Sequence, residues 1–329
     1  MYCSKGKPMK ILLSEPTLFI NYYLYWANQV AYMKIFGKKR RPEKYAGKRV
    51  MDLNLGNEEI KKVILSGEPF MAGRFGSNEL NLTVYSYFKQ NGYLKDNYPL
   101  DPLVVENCGF FPKDPAAVEQ LGIVMLEALK KCDILCVWYN ICEDFFAKQF
   151  GKKHLALTHR KVLDFWNFEV PWTSALKGKK VLVIHPLDEL IQKQYAKRRE
   201  LFSNENILPE FDLKTLKSVQ TIAGTKDERF DTWFEALDYM YNEAMKIDFD
   251  IAIIGCGAYG FPLAAKIREG GKQAIHMGGV TQILFGIKGN RWENDAEPEL
   301  MKCVNDSWRK PDSSDIPQKS AQVEGSCYW

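Results

Sequence analysis

Residues 250–279 read DIAIIGCGAYGFPLAAKIREGGKQAIHMGG, and this stretch decides the fold. Residues 250–254 (DIAII) read as a buried strand, apolar throughout after Asp250, residues 261–269 are helical, and residues 273–277 (QAIHM) return as a strand. A strand, a helix and a strand in so short a span imply parallel pairing through a crossover. Toward the N-terminus the alternation repeats. Strands are predicted at residues 69–73, 133–139, 154–157, 180–185 (KVLVIH) and 215–222, and helices at residues 78–90, 116–131, 188–201 and 230–246. Unbroken apolar strands separated by helices predict an α/β fold. Its expected form is a doubly wound, mostly parallel, Rossmann-like sheet with helices on both faces, an N-terminal helical extension and a polar C-terminal tail. The expected divisions are an aromatic and basic extension over 1–54, an α/β domain over 55–290 with room for two Rossmann-like halves, and the tail over 291–329.

Composition narrows the function. The chain has 329 residues, 46% of them hydrophobic, and a net charge of +4, which excludes general disorder. The charge is uneven. Eight basic residues and one acid, Glu43, lie between Lys34 and Arg49, so this segment carries +7 and the remainder −3. One basic run without a binding module argues against a nucleic-acid partner. Preceded by the aromatic-rich LFINYYLYWANQVAYMKIF, the run including Lys34, Lys38, Lys39, Arg40 and Arg41 fits an anionic membrane surface. An N-terminal helix packed on the core with a solvated basic loop fits it too. The start MYCSKGKPMK has no apolar signal core, so the expected location is cytoplasmic, peripheral on the inner face of the membrane. The eight cysteines show no CxxC spacing and read as reduced apolar fillers.

Three strand ends carry candidate chemistry. Gly255-Cys256-Gly257-Ala258-Tyr259-Gly260 is a GxGxxG at a strand–helix junction, where glycines let a phosphate approach helix N–H groups. It raises an NAD(P)-dependent oxidoreductase as one reading. Against it, no acid follows the next strand to hold a ribose hydroxyl, and little chain remains to complete the sheet. Gly255, Gly257 and Gly260 are therefore candidate contacts to a nucleotide or phosphate of another kind, or simply tight packing. Arg74, Gly76, Ser77 and Glu79 form a second junction. Arg74 suits a phosphate, Ser77 a helix N-cap, and Glu79 the first turn; equally, Arg74 and Glu79 are surface partners. At the third, His185 and Asp188 are candidate acid–base groups, with Asp188 as an N-cap and an inert His185 the alternative.

Several segments together resemble a known family. GRFGSNEL (73–80), WTSALKGKKVLVIHPLDELIQKQYAKRRELF (172–202), LPEFDLKTLKSVQTIAG (208–224), the stretch 250–279 and the ending VEGSCYW look like a bacterial family near the GT-D-fold glycosyltransferases. The resemblance implies a glycosyltransferase of capsule or cell-surface polysaccharide synthesis. It would take a nucleotide-sugar donor and a glycan or lipid-linked acceptor. It also implies an Asp-x-Glu triplet for metal and donor, which here is Ser77-Asn78-Glu79. Mn²⁺ or Mg²⁺ would lose one of two carboxylates, leaving Glu79 as the metal ligand. Arg74 with helix N–H groups, without metal, is the alternative. A non-catalytic nucleotide- or glycan-binding scaffold of the same pathway is the other reading that this departure leaves open.

Overall fold

In Lys180–His185 every residue after the first is buried. Leu182 and Ile184 enter one apolar cluster, Val181 and Val183 another. Ile251–Ile254 does the same, with Ala252 and Ile254 on one side and Ile251 and Ile253 on the other. A strand sends successive side chains to opposite faces, so both faces of these strands are covered.

A computed structural model describes residues 16–37, 40–95, 99–225, 227–294, 297–312, 316 and 329. The strands are β1 (Lys44–Tyr45), β2 (Lys48–Met51), β3 (Met71–Gly73), β4 (Ile134–Val137), β5 (Ala156–His159), β6 (Lys180–His185), β7 (Asp212–Lys217), β8 (Ile251–Ile254) and β9 (Gln273–His276). The helices are α1 (Pro16–Phe36), α2 (Leu53–Ser66), α3 (Ser77–Gln90), α4 (Pro102–Asn107), α5 (Pro115–Lys131), α6 (Glu143–Phe150) and α7 (Asp188–Tyr195). They continue with α8 (Arg198–Leu201), α9 (Trp233–Met245), α10 (Gly260–Glu269), α11 (Val280–Leu284), α12 (Asn290–Asn294) and α13 (Pro298–Met301). The fold is mixed α/β around one nine-stranded sheet of order β1-β2-β5-β4-β3-β9-β8-β6-β7. Among the described residues only the β1–β2 pair is antiparallel.

One face is covered by α3, α5, α9 and α10 with Tyr22 of α1, the other by α2, α7, α11 and Trp172. Local chemistry sets the helix starts. Asp52 and Asp114 cap α2 and α5, and Thr232 with Glu235 forms a capping box on α9.

Four expectations need correction. The strand expected at residues 215–222 lies at Asp212–Lys217, an edge strand with exposed Asp212, Lys214 and Lys217. The helix expected over 188–201 is broken into α7 and α8. The extension over 1–54 is not purely helical, because β2 pairs with β5 and Lys48 Nζ donates to the carbonyls of Lys152, Lys153 and Leu155. The expected tail is partly docked: Leu300 and Trp308 are buried, and Trp308 Nε1 donates to Leu201 O at 2.9 Å.

At the amino end of β4, Asp133 joins three elements. It accepts from Met71 N at 2.8 Å, Lys152 Nζ at 2.5 Å and Arg268 Nε at 2.8 Å. Burial pushes its carboxyl up, but the bonds from Arg268 and Lys152 outweigh this and hold it below its ordinary range. A depressed carboxyl stabilises above its unfolded pKa, and the contribution is lost as pH falls through the folded value. Asp133→Asn is expected to cost about 2 kcal/mol at neutral pH. In urea unfolding its deficit against wild type should shrink in acid; a deficit independent of pH would refute this role.

Candidate functional site

β3 ends at Gly73, and the chain turns through Arg74, Phe75 and Gly76 into α3. Phe75 is buried against Phe261, with ring centroids 5.0 Å apart, which pins the loop from beneath. The Glu79 carboxylate folds back over Gly76, where any Cβ would collide with it. Gly76, not Ser77, is the N-cap of α3. Ser77 is the first helical residue, and its Oγ accepts from Asn140 Nδ2 at 3.2 Å.

Arg74 reaches the neighbouring strand end. Its Nε lies 3.5 Å from Met277 O, and it fills the space beside Gly278, where a Cβ would strike the guanidinium. Its guanidinium carbon is 4.9 Å from the centroid of Trp138, which follows β4. Arg160, following β5, approaches the same indole at 5.1 Å. Two cations thus converge on one ring, at the carboxyl ends of the adjacent strands β5, β4, β3 and β9. Ligands of open parallel sheets bind at this edge.

Supporting groups fix these positions. Glu143, 1% exposed at the start of α6, accepts from Trp138 N at 3.0 Å, Asn140 N at 3.3 Å and Tyr45 OH at 3.1 Å. Asp164 is buried, with Oδ2 3.6 Å from Arg160 Nη1. Burial pushes its carboxyl up to about 7, against the opposing pull of Arg160. His159 accepts from Lys161 N at 3.1 Å, and burial, then the charges of Arg41, Arg160 and Lys161, lower it to about 3.

The other predicted residues form a second cluster at the ends of β6 and β8. His185 is 3% exposed, and its Nδ1 accepts from Leu187 N at 3.1 Å. Burial lowers it to about 3, so it is neutral at neutral pH and brings no charge to a phosphate. Asp188 is the first residue of α7 and not its N-cap. Burial raises its pKa, while backbone N–H groups of its own first turn oppose that rise. A Cβ on Gly255 would lie 2.6 Å from Thr281 Oγ1 and 2.7 Å from His185 Cδ2; one on Gly260 would collide with the His276 ring. These two glycines serve close packing. Gly257 differs: it is exposed, at φ +59° with nothing within 4 Å of its Cβ position.

The structure therefore unites Arg74, Gly76, Ser77 and Glu79 with Trp138, Asn140 and Arg160, while Gly255 and Gly260 follow β8, two strands from β3, and His185 and Asp188 stand at the end of β6, three strands from it. Lys34, Arg40 and Arg41 are exposed beside α1, whereas Lys38 and Lys39 lie outside the described residues. Sequence reading missed Trp138, Glu143, Arg160 and Asp164. Trp138 falls in the last residues of the strand expected over 133–139, where a scan of strand ends for aromatic residues finds it, whereas Arg160 lies beyond the end of the strand expected over 154–157 and carries no such signal. Among the described residues no group of three or more His, Cys, Asp or Glu side chains is placed to hold a metal ion. Ser77, two residues before Glu79 in α3, and Asn140, which reaches Ser77 from the connection after β4, are neutral; this donor set does not fit a protein-held divalent cation.

Two outcomes follow from this packing. Gly255→Ala and Gly260→Ala should each lower the melting temperature more than Gly257→Ala, whose cost is about 1 kcal/mol of backbone strain; the reverse order would reinstate a cradle. Because the Asp164 carboxyl is raised, its contribution is full below about pH 4 and declines as pH rises toward 7. Asp164→Asn should flatten the fall in urea-measured stability between those limits, and an unchanged slope would refute the assignment.

No protein-family model matches this chain, and no curated protein sequence matches it. Two solved structures show a distant similarity to this chain. One, a selenomethionine-substituted domain of unknown function 1792, is 12% identical with a TM-score of 0.43, over 81% of this chain and 97% of that one. The other, described as a highly conserved domain of unknown function 1792 with a distinct glycosyltransferase fold, is 11% identical with a TM-score of 0.42, over the same shares. At this likeness neither brings a residue role or an activity to this chain.

Proposed function

We propose that this chain is a glycosyltransferase-like protein of cell-surface polysaccharide synthesis, moving a sugar from a nucleotide-sugar donor to a glycan or lipid-linked acceptor. The observation that carries the reading is the convergence of Arg74 and Arg160 on Trp138 at the carboxyl edge of the sheet, beside the start of α3. Guanidinium groups are matched to phosphate oxygens, and two of them suit a diphosphate.

In the proposed transfer the acceptor hydroxyl oxygen bonds to the anomeric carbon while the bond from that carbon to the phosphate oxygen breaks. The departing electron pair settles on the diphosphate, whose charge Arg74 and Arg160 stabilise. The hydroxyl proton passes to a carboxylate, and Glu79, in the first turn of α3 directly after the Arg74 loop, is the one proposed for it. His185 is a poor choice for this step, since it is buried and its Nδ1 is engaged.

A non-catalytic nucleotide- or glycan-binding scaffold is the second reading, favoured by Ser77 standing where the resembled family has Asp. The oxidoreductase reading loses support: Gly255 and Gly260 are filled by packing, and β9 ends in buried His276 rather than an acid.

Arg74→Ala and Arg160→Ala should each weaken nucleotide-diphosphate-sugar binding about 10- to 100-fold in calorimetric titration. Glu79→Gln should retain binding and lose about 100-fold or more in turnover. Binding without turnover by wild type selects the scaffold. No binding across a panel of nucleotide sugars, with and without Mn²⁺ or Mg²⁺, overturns both.

A further inference from the structure

α1 has two unlike faces. The inner one is anchored: Tyr22 packs edge-on against Phe88 at 5.7 Å, and Tyr25 OH donates to Tyr139 O at 3.2 Å. Gln29, 6% exposed, accepts from Arg40 N at 3.1 Å and donates to Arg40 O at 3.3 Å, folding the following chain back along the helix. The outer face is exposed and mostly apolar, with Asn28 as its one uncharged polar member between Leu24 and Ala31. Leu24 is 57% exposed, Ile35 72% and Phe36 57%, with Ala27 and Ala31 between them. Positions 24, 27, 31 and 35 fall on one stripe of a helix.

A helix facing water carries charge on its outer face. From Leu24 to Phe36 the only charged residue is Lys34, at the last turn. Exposed Arg40, Arg41 and Lys44 follow. Apolar side chains rimmed by Lys and Arg are the chemistry of an interface-lying helix on anionic lipid. Among the described residues no helix is long and apolar enough to cross a membrane. A second copy of the chain suits the face less well, because a two-fold contact sets each patch against itself and would press the basic clusters together.

We infer that the outer face of α1, with Lys34, Arg40 and Arg41, docks on an anionic lipid surface. The docking face adjoins the candidate site. Tyr25 holds the carbonyl of Tyr139, the residue after Trp138, and the charge of Arg41 is felt at Tyr139 and His159. This inference does not depend on sugar transfer.

Deleting α1 would also remove the contacts of Tyr22 with Phe88 and of Tyr25 with Tyr139, so point substitutions of exposed residues make the test. The full chain should co-sediment with phosphatidylglycerol-containing vesicles and not with pure phosphatidylcholine vesicles, and salt should release it. Lys34→Ala with Arg40→Ala should weaken this binding about 30-fold. Leu24→Glu with Ile35→Glu should abolish it, both variants keeping the wild-type melting temperature. Equal binding to both vesicle types, or variants that bind as wild type does, overturns the inference. So does a dimer in light scattering that Leu24→Glu with Ile35→Glu dissociates, without vesicle binding by wild type.

Discussion

The buried carboxylate of Glu143 is the contact on which the candidate site depends. It takes the backbone N–H groups of Trp138 and Asn140 and the hydroxyl of Tyr45, so one side chain fixes the loop after β4 and ties it to β1. That loop includes Tyr139 at φ +55° and Cys142 at φ +67°, conformations non-glycine residues adopt only when their surroundings impose them. Trp138 is thereby presented to Arg74 and Arg160, from two other strand ends, and Tyr139 is presented to α1. Without this acceptor, buried N–H groups would be left unsatisfied at a cost of about 1–3 kcal/mol each.

The two clusters at the carboxyl edge contrast in hydration and charge. Around His185, Gly255 and His276 the space is filled: imidazoles sit where glycine Cβ atoms would be, and burial keeps both rings neutral. Around Trp138 the guanidinium groups are partly exposed, and a buried acid supports one of them from below. The sheet thus pairs a closely packed, uncharged cluster with a charged, accessible one along the same edge.

Much of the fold was legible because apolar periodicity is strong where both faces are buried. Lys180–His185 emerged with its bounds intact, and β8 and β9 within a residue. β7 was misplaced because an edge strand exposes Asp212, Lys214 and Lys217, so its pattern does not read as apolar. The hairpin of β1 and β2 was hidden inside the basic run for the same reason. The site was half legible. The Arg74 loop is contiguous in sequence, whereas Trp138, Arg160 and Asp164 come from separate connections. With β5 expected to end at residue 157, Arg160 did not stand at a strand end at all. The glycine fingerprint left two readings open in the sequence, and the close contacts at Gly255 and Gly260 are of the packing kind.

A long parallel sheet has two flanks with unpaired N–H and C=O groups, and each is an invitation to another chain. Here one flank is closed by a two-residue antiparallel turn-back, β1, and the other is β7, whose exposed charges include an Asp212–Lys214 pair at 3.1 Å. Neither offers a flat apolar template for further strands. The sheet can therefore be wide enough to hold two distinct clusters on one edge without becoming a seed for edge-to-edge aggregation.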